Sequence, residues 1–313
     1  MTSLDAFLRA QREQEYPPDP EMLTALEALF TDPSLPASTA ARTAMTQVIA
    51  AEDANPKPNP NLESFWILLF QAIGLFTEQN DRLLELILAI QSLPDCKGGF
   101  HKLPGIHEYL LEFVFDYVDH PFNLPYSDPE PDITDRAWLH FPPHRDIQRQ
   151  AWLNVNLFMA KLHPHVTTTP VYGFIGHGEF TIRKTLEKAP WEIVHHENLE
   201  EHLSFWLEQD EEEYDREKDD QMEMIDIRTL DGWVPAAAVW FRLCGRAMYE
   251  KEGHEMSSEW EGSKWTGKPG WSRERWAFWK ERWGWIAQVT ALNRGTREIA
   301  REMVEVMGRV GTE

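Results

Sequence analysis

Glu187 stands four residues after Arg183 in a segment of helical periodicity, a spacing that lets carboxylate and guanidinium meet across one turn. A carboxylate held this way inside an apolar body can donate or accept a proton, so Glu187 is the expected general acid or base. His163 and His165, separated by Pro164, are the other proton carriers expected. Asn154 and Asn156 lie among Trp152, Leu153, Leu157 and Phe158, and Arg242 interrupts a segment rich in Ala and Trp. Buried amides and charges must find partners. A polar network joining these helices is therefore expected, either as a device that specifies the core or as a catalytic cluster. A pocket is expected between the Asn156 and Trp240 helices.

Seven of the fourteen tryptophans fall between Trp260 and Trp285. Trp276, Trp279 and Trp283 repeat at helical spacing, while Phe278 and Trp285 occupy another side, so this helix should be sandwiched. Each indole brings a large apolar surface and one N–H that needs a partner when buried. Trp260, Trp265 and Trp271 sit in a loop with Gly262, Gly267 and Gly270. They form either a lid whose ring faces bind a planar or cationic ligand, or local packing against Lys264, Lys268 or Arg273. The expected ligand-binding set is Asn156, Arg183, Trp240, Trp265, Trp271, Trp276 and Trp279.

Neither a metal nor another cofactor is expected. His140 and His144 on one side, and His163 and His165 on the other, flank a helix of about 20 residues, or about 30 Å, so only one end could serve a metal. No carboxylate follows His165 closely. His195 and His196 lie beside an acidic run. Asp219-Asp-Gln-Met-Glu223 matches the aspartate-rich motif with which class I terpene cyclases hold magnesium and diphosphate, but the second, Asn- and Ser-containing motif is missing. A Gly-x-Ser-x-Gly elbow, a phosphate loop and a dinucleotide fingerprint are absent.

The elements that carry these groups read as helices, because apolar residues recur at helical spacing and no convincing period-two run occurs. Helices are expected over 22–54 with a break at Asp32-Pro33, 62–77, 80–93, 104–118, 146–162, 177–188, 199–206, 234–250 with Pro235 in the first turn, and 296–309. Another begins at Ser272, its expected cap. Six prolines between 121 and 143 mark a long surface loop. The expected architecture is a single all-α globular domain of about ten to twelve helices, with residues 1–60 as N-terminal helices and connector and residues 61–313 as the main body.

Bulk properties bound the partners. The chain has 313 residues, 42% hydrophobic and 12% aromatic, with a net charge of −22 and a pI near 4.9. That charge opposes a phosphate backbone, so nucleic acid is not expected. Fourteen carboxylates face only Arg216 and Lys218 between residues 197 and 226, more than half of the excess negative charge. The tract 208–222 within it is expected to lack fixed structure. Cys96 and Cys244 supply no disulfide framework. With no run near ~18 apolar residues and no leader-like start, a cytosolic or nuclear protein without a membrane span is expected.

Several segments together resemble a known family: Phe65-Trp-Ile-Leu-Leu-Phe70 with the hairpin ending at Leu93-Pro94, Trp152-Leu-Asn-Val-Asn-Leu-Phe-Met-Ala-Lys-Leu162, Arg183 to Glu187, Val234-Pro-Ala-Ala-Ala-Val-Trp-Phe-Arg-Leu-Cys-Gly245, Arg275-Trp-Ala-Phe-Trp-Lys-Glu-Arg282, Thr296-Arg297 and Met303 to Met307. In order and spacing they are similar to the fungal proteins grouped as domain of unknown function 3632. The resemblance implies an α-helical body and a fungal source, and it implies no reaction. Val239 stands where a polar residue would be expected on that likeness.

Two main readings result. One is a small-molecule-binding protein or cofactor-independent enzyme of fungal secondary metabolism, whose aromatic pocket orients a lipophilic or aromatic ligand. The other is a helical scaffold whose acidic tract and exposed tryptophans engage a basic protein surface. A magnesium enzyme like the terpene cyclases is a third.

Overall fold

The computed structural model describes residues 3–55, 60–94, 99–110, 142–166, 173–187, 230–256, 263–290 and 292–311. They form twelve α-helices, and no strand occurs among the described residues. Two compact units emerge: Met1–Ser127 with Pro164–Pro170, and Asp128–His163 with Val171–Glu313. This division does not follow the boundary expected at residue 60, because helices on both sides of that point share the first unit's core.

The first unit holds α1 (Leu4–Arg12), α2 (Pro20–Thr31), α3 (Ala37–Ala44), α4 (Thr46–Ala54), α5 (Glu63–Leu75), α6 (Asn80–Gln91) and α7 (Ile106–Leu110). α1 adds to the helices expected; Ser3 caps it, its Oγ accepting the Ala6 N–H at 3.2 Å. The region expected as one broken helix is three, since Asp32 turns its carboxylate back to the Ser34 N–H and Pro36 precedes α3. α5 is buried on nearly every side, and its amide Gln71 accepts from Gln11 Nε2 of α1 at 2.6 Å. Phe76, just past α5, meets Phe7 and Phe30 edge-on.

The second unit holds α8 (Pro142–Leu162), α9 (Gly173–Leu186), α10 (Leu230–Tyr249), α11 (Arg273–Ile286) and α12 (Arg294–Val310). α10 is central and packs against α8, α9 and α12, while α11 lies on α12. Ala236, Ala237 and Ala238 are fully buried in α10, and small side chains there let neighbouring helices approach. α10 starts four residues earlier than expected, so Pro235 lies inside the helix and forfeits one backbone bond near its start. The Asp231 carboxylate ties that end to α12, accepting the Asn293 N–H at 3.1 Å and the Thr296 hydroxyl at 2.5 Å. α8 likewise starts earlier than expected, with Pro142 and Pro143 in the first turn, where the missing N–H costs nothing.

No helix among the described residues is long and apolar enough to cross a membrane. The helix expected over 199–206, the acidic tract 208–222, Asp219–Glu223 and most of the proline-rich loop lie outside the described residues.

Candidate functional site

The expected pocket between the Asn156 and Trp240 helices is filled by the protein itself. Asn156 on α8 accepts two hydrogen bonds at Oδ1, from Trp240 Nε1 on α10 and from Thr181 Oγ1 on α9, both at 2.9 Å. Its amide donates back to the Trp152 carbonyl at 2.9 Å. Gly178 of α9 lies directly under the Trp240 ring, where any Cβ would collide with the indole. One amide thus joins three helices, which is the polar network that the sequence implied. Arg242 is not part of it: exposed, it pairs across the surface with Glu302 of α12 at 2.7 and 2.8 Å.

A second polar centre forms where α9 ends. Glu187 is fully buried, and its two oxygens receive five donors. Oε1 accepts from Arg275 Nε at 2.7 Å and Trp279 Nε1 at 2.8 Å. Oε2 accepts from Arg275 Nη2 at 2.8 Å, Arg183 Nε at 3.0 Å and Ser263 Oγ at 3.0 Å. Burial would raise the pKa of this carboxyl, but the hydrogen bonds and charge of Arg275, the charge of Arg183 and the Trp279 N–H outweigh it and hold the pKa below the ordinary glutamate value. A general acid or base needs access to a substrate proton. Glu187 instead has the surroundings of a carboxylate that pins three segments together, its oxygens turned to those donors. The end of α9 is sealed by the same segments, the Leu186 carbonyl accepting from Arg282 Nε at 3.0 Å and the Glu187 carbonyl from the Lys264 N–H at 2.7 Å.

The tryptophan stripe is enclosed as its spacing required. Ser272 caps α11, and Trp276, Trp279 and Trp283 are all buried. Phe241 of α10 inserts among them, with centroid distances of 5.6, 6.1 and 5.6 Å to the three rings. The opposite side is not sandwiched as expected. Phe278 and Trp285 are only half-buried, the first covered by Trp265 and the second by the Arg282 guanidinium. In the preceding loop, Trp265 donates through Nε1 to the Lys268 carbonyl and Trp271 packs edge-on against Trp279 at 5.5 Å. Both rings are held by neighbours, which is the local-packing alternative; Trp260 lies outside the described residues.

An open cleft of about 180 Å³ lies elsewhere in this unit, lined by Ile175, Gly176, Glu179, Lys251, His254, Glu255 and Trp271. Ile175, Glu179 and Trp271 form its buried floor, with Glu179 only 2% exposed. Half-buried Lys251 and exposed His254 and Glu255 form the rim. Its frame is a pair of backbone hydrogen bonds, Gly253 N–H to the Trp271 carbonyl and Trp271 N–H to the His254 carbonyl, each 2.9 Å. Gly270 completes that frame with a φ of +82°, where a side chain would also press on the His254 carbonyl. Of the expected ligand residues, Trp271 alone lines this cleft.

Glu179 and Arg183 on α9 and Glu187 just past its end fall at i, i+4 and i+8, so the cleft floor is linked to the buried anion through Arg183, which stands 3.6 Å from Glu179 and 3.0 Å from Glu187. His163 and His165 form a 3-10 turn directly after α8 and are not among the donors to Glu187. Burial and the nearby Lys251 charge lower the pKa of His163. Among the described residues no three His, Cys, Asp or Glu side chains gather to hold a metal ion. His140, His195 and His196, and the side chain of His144, are outside the described residues.

Arg275, Glu179, Lys251 and His254 are functional candidates that sequence reasoning missed. Arg275 had a readable signal, since it lies four residues before Trp279 and thus in phase with a stripe that must be buried. Glu179 had one too, as the first rung of the charge ladder on α9. Lys251 and His254 had none, because a tertiary backbone pairing brings them to the cleft.

The family model described as "Protein of unknown function (DUF3632)" matches residues 66–283, more than half of the chain. No curated protein and no solved structure matches it. The matched span takes in the Asn156 junction, the Glu187 anchor and the cleft. The chain therefore belongs to that family of proteins of unknown function.

Proposed function

We propose that the protein binds a small molecule, and that the ligand occupies the cleft between the start of α9 and the loop at the end of α10. The observation that carries this reading is the cleft floor, where the buried residues Ile175, Glu179 and Trp271 border a space open to solvent. Concave sites that combine apolar wall with a few convergent polar groups are the usual places for small ligands. The reading is of a binding protein rather than an enzyme that uses Glu187 as acid or base, because that carboxylate is occupied by structural donors. The ligand site differs from the aromatic pocket expected from sequence, which asked for Asn156, Trp240, Trp276 and Trp279 together.

Filling the cleft tests this directly. Gly176 lines the cleft on a helix, so Gly176→Leu adds bulk there and favours helix. Native mass spectrometry of the wild type against a set of single-ring fragments of all three charge types should detect complexes that the variant lacks, while its melting temperature stays unchanged or rises. Equal binding by both proteins, or none by the wild type, would reject the site.

A further inference from the structure

We infer that the cleft is selective for a neutral hydroxylated ring, a phenol, whose O–H is donated to His254 Nε2 and whose hydrocarbon lies against Trp271 and Ile175. This rests on the cleft being a ligand site, as proposed above, and adds the chemistry of what enters it.

His254 carries the argument because its bonding fixes which ring nitrogen is the acceptor. Its Nδ1 stands 2.9 Å from the Lys251 carbonyl. A carbonyl oxygen can only accept, so in the neutral imidazole the hydrogen sits on Nδ1 and the lone pair on Nε2. The backbone beneath the ring is pinned as well. The His254 N–H donates to the same Lys251 carbonyl, and the His254 carbonyl accepts from the Trp271 N–H, each at 2.9 Å. No group among the described residues donates to Nε2. An imidazole that binds metal needs companions, and no such cluster occurs among the described residues.

The rest of the lining narrows the ligand. Charged groups of both signs border the cleft: Lys251 and Glu255 at the rim, and Glu179 in the floor with Arg183 at 3.6 Å. A charged ligand of either sign therefore meets a like charge as well as an opposite one, a cost that a neutral molecule escapes. Lys251 is half-buried and has no carboxylate partner among the described residues, so its ammonium is able to donate to a ligand oxygen. Beside an acceptor at Nε2, a hydroxyl satisfies both through one atom, which neither a carboxylate nor an ammonium group does. A cavity of ~150 Å³ accommodates one benzene ring. The 180 Å³ available here suits one ring with a small substituent, set between the indole of Trp271 and the apolar Ile175.

Calorimetric titration of the full chain tests the inference with phenol, anisole, benzoate and benzylamine. Phenol should bind best, and anisole, the same ring with the O–H methylated, about fivefold more weakly, the worth of one ordinary hydrogen bond. Benzoate and benzylamine should each bind more weakly than phenol. His254→Phe alters an exposed side chain and keeps the backbone pairing; it should bring phenol down to the affinity of anisole and leave anisole unchanged. Anisole, benzoate or benzylamine binding as well as phenol does, in a manner abolished by Gly176→Leu, would overturn the hydroxyl assignment and keep the cleft. A preference for phenol that survives in His254→Phe would overturn the role of His254. Absence of binding by all four, or binding indifferent to Gly176→Leu, would overturn both the ligand and the site.

Discussion

Arg275 grips Glu187 through two hydrogen bonds, 2.7 Å from Nε and 2.8 Å from Nη2, with both side chains fully buried. Such a pair adds little net stability over a well-packed apolar core, but removing one member leaves the other charged in a dry place. Glu187→Gln is expected to lower the unfolding free energy by about 3–5 kcal/mol in urea denaturation. Glu187→Leu combined with Arg275→Met should cost clearly less than the two single changes added, since neither leaves its partner behind and Arg183 keeps Glu179. Additive losses would mean that the two side chains act independently.

The same carboxylate makes stability depend on acid. Burial pushes its pKa up, yet Arg275, Arg183 and Trp279 push it further down, so the folded pKa lies below the unfolded one. Its contribution is complete above the unfolded value of about 4.3 and is lost as pH falls through the lower, folded value. Wild-type stability should therefore drop on acidification below about pH 4, and Glu187→Gln should show a shallower drop. Parallel pH profiles for the two proteins would assign acid sensitivity to other groups.

Trp279 supplies both packing and an N–H to the anion. Trp279→Ala should cost ~3–5 kcal/mol, as large aromatic truncations in cores do. Trp279→Phe keeps most of the area but not the hydrogen bond and should fall between that variant and the wild type. An unchanged melting curve for the alanine variant would place α11 outside the core.

Gly178→Ala tests the crossing of α9 with α10. A methyl there meets the rigid indole of Trp240, whose N–H is already fixed to Asn156, so neither partner can yield cheaply. A loss of about 1–3 kcal/mol is expected, despite the better helix propensity of alanine. A gain in stability would show that the junction is slack.

Gly270→Ala should loosen the cleft before it unfolds the protein. Its φ of +82° strains an alanine, and the added carbon would sit 2.5 Å from the His254 carbonyl that Trp271 uses. Weaker binding of whichever single-ring fragments the wild type retains, with a modest fall in melting temperature, is the expected result. Normal binding would make the backbone pairing irrelevant to the cleft.

How much of this was legible varied with sequence distance. The stripe Trp276, Trp279 and Trp283 and the cap Ser272 follow from spacing within one helix, and both are present. The Arg183–Glu187 pair follows from one turn of α9. The other donors to Glu187 lie 76 to 92 residues downstream, where no local period can announce them. Trp240 read as a pocket wall because its segment is apolar; that it closes on Gly178 and Asn156 depends on helix crossing, which periodicity does not encode. The cleft rested on loop geometry, with glycines at positive φ and a two-bond pairing, and only Trp271 among its residues stood out by type.

Glu187 is made long before most of the groups that hold it. A growing polypeptide leaves α9 with uncapped carbonyls and a carboxylate matched by Arg183 alone until Ser263, Arg275, Trp279 and Arg282 have emerged from the ribosome. Maturation of this unit is therefore set by its last quarter, and a chain interrupted ahead of Arg275 inherits an anion with nowhere dry to go.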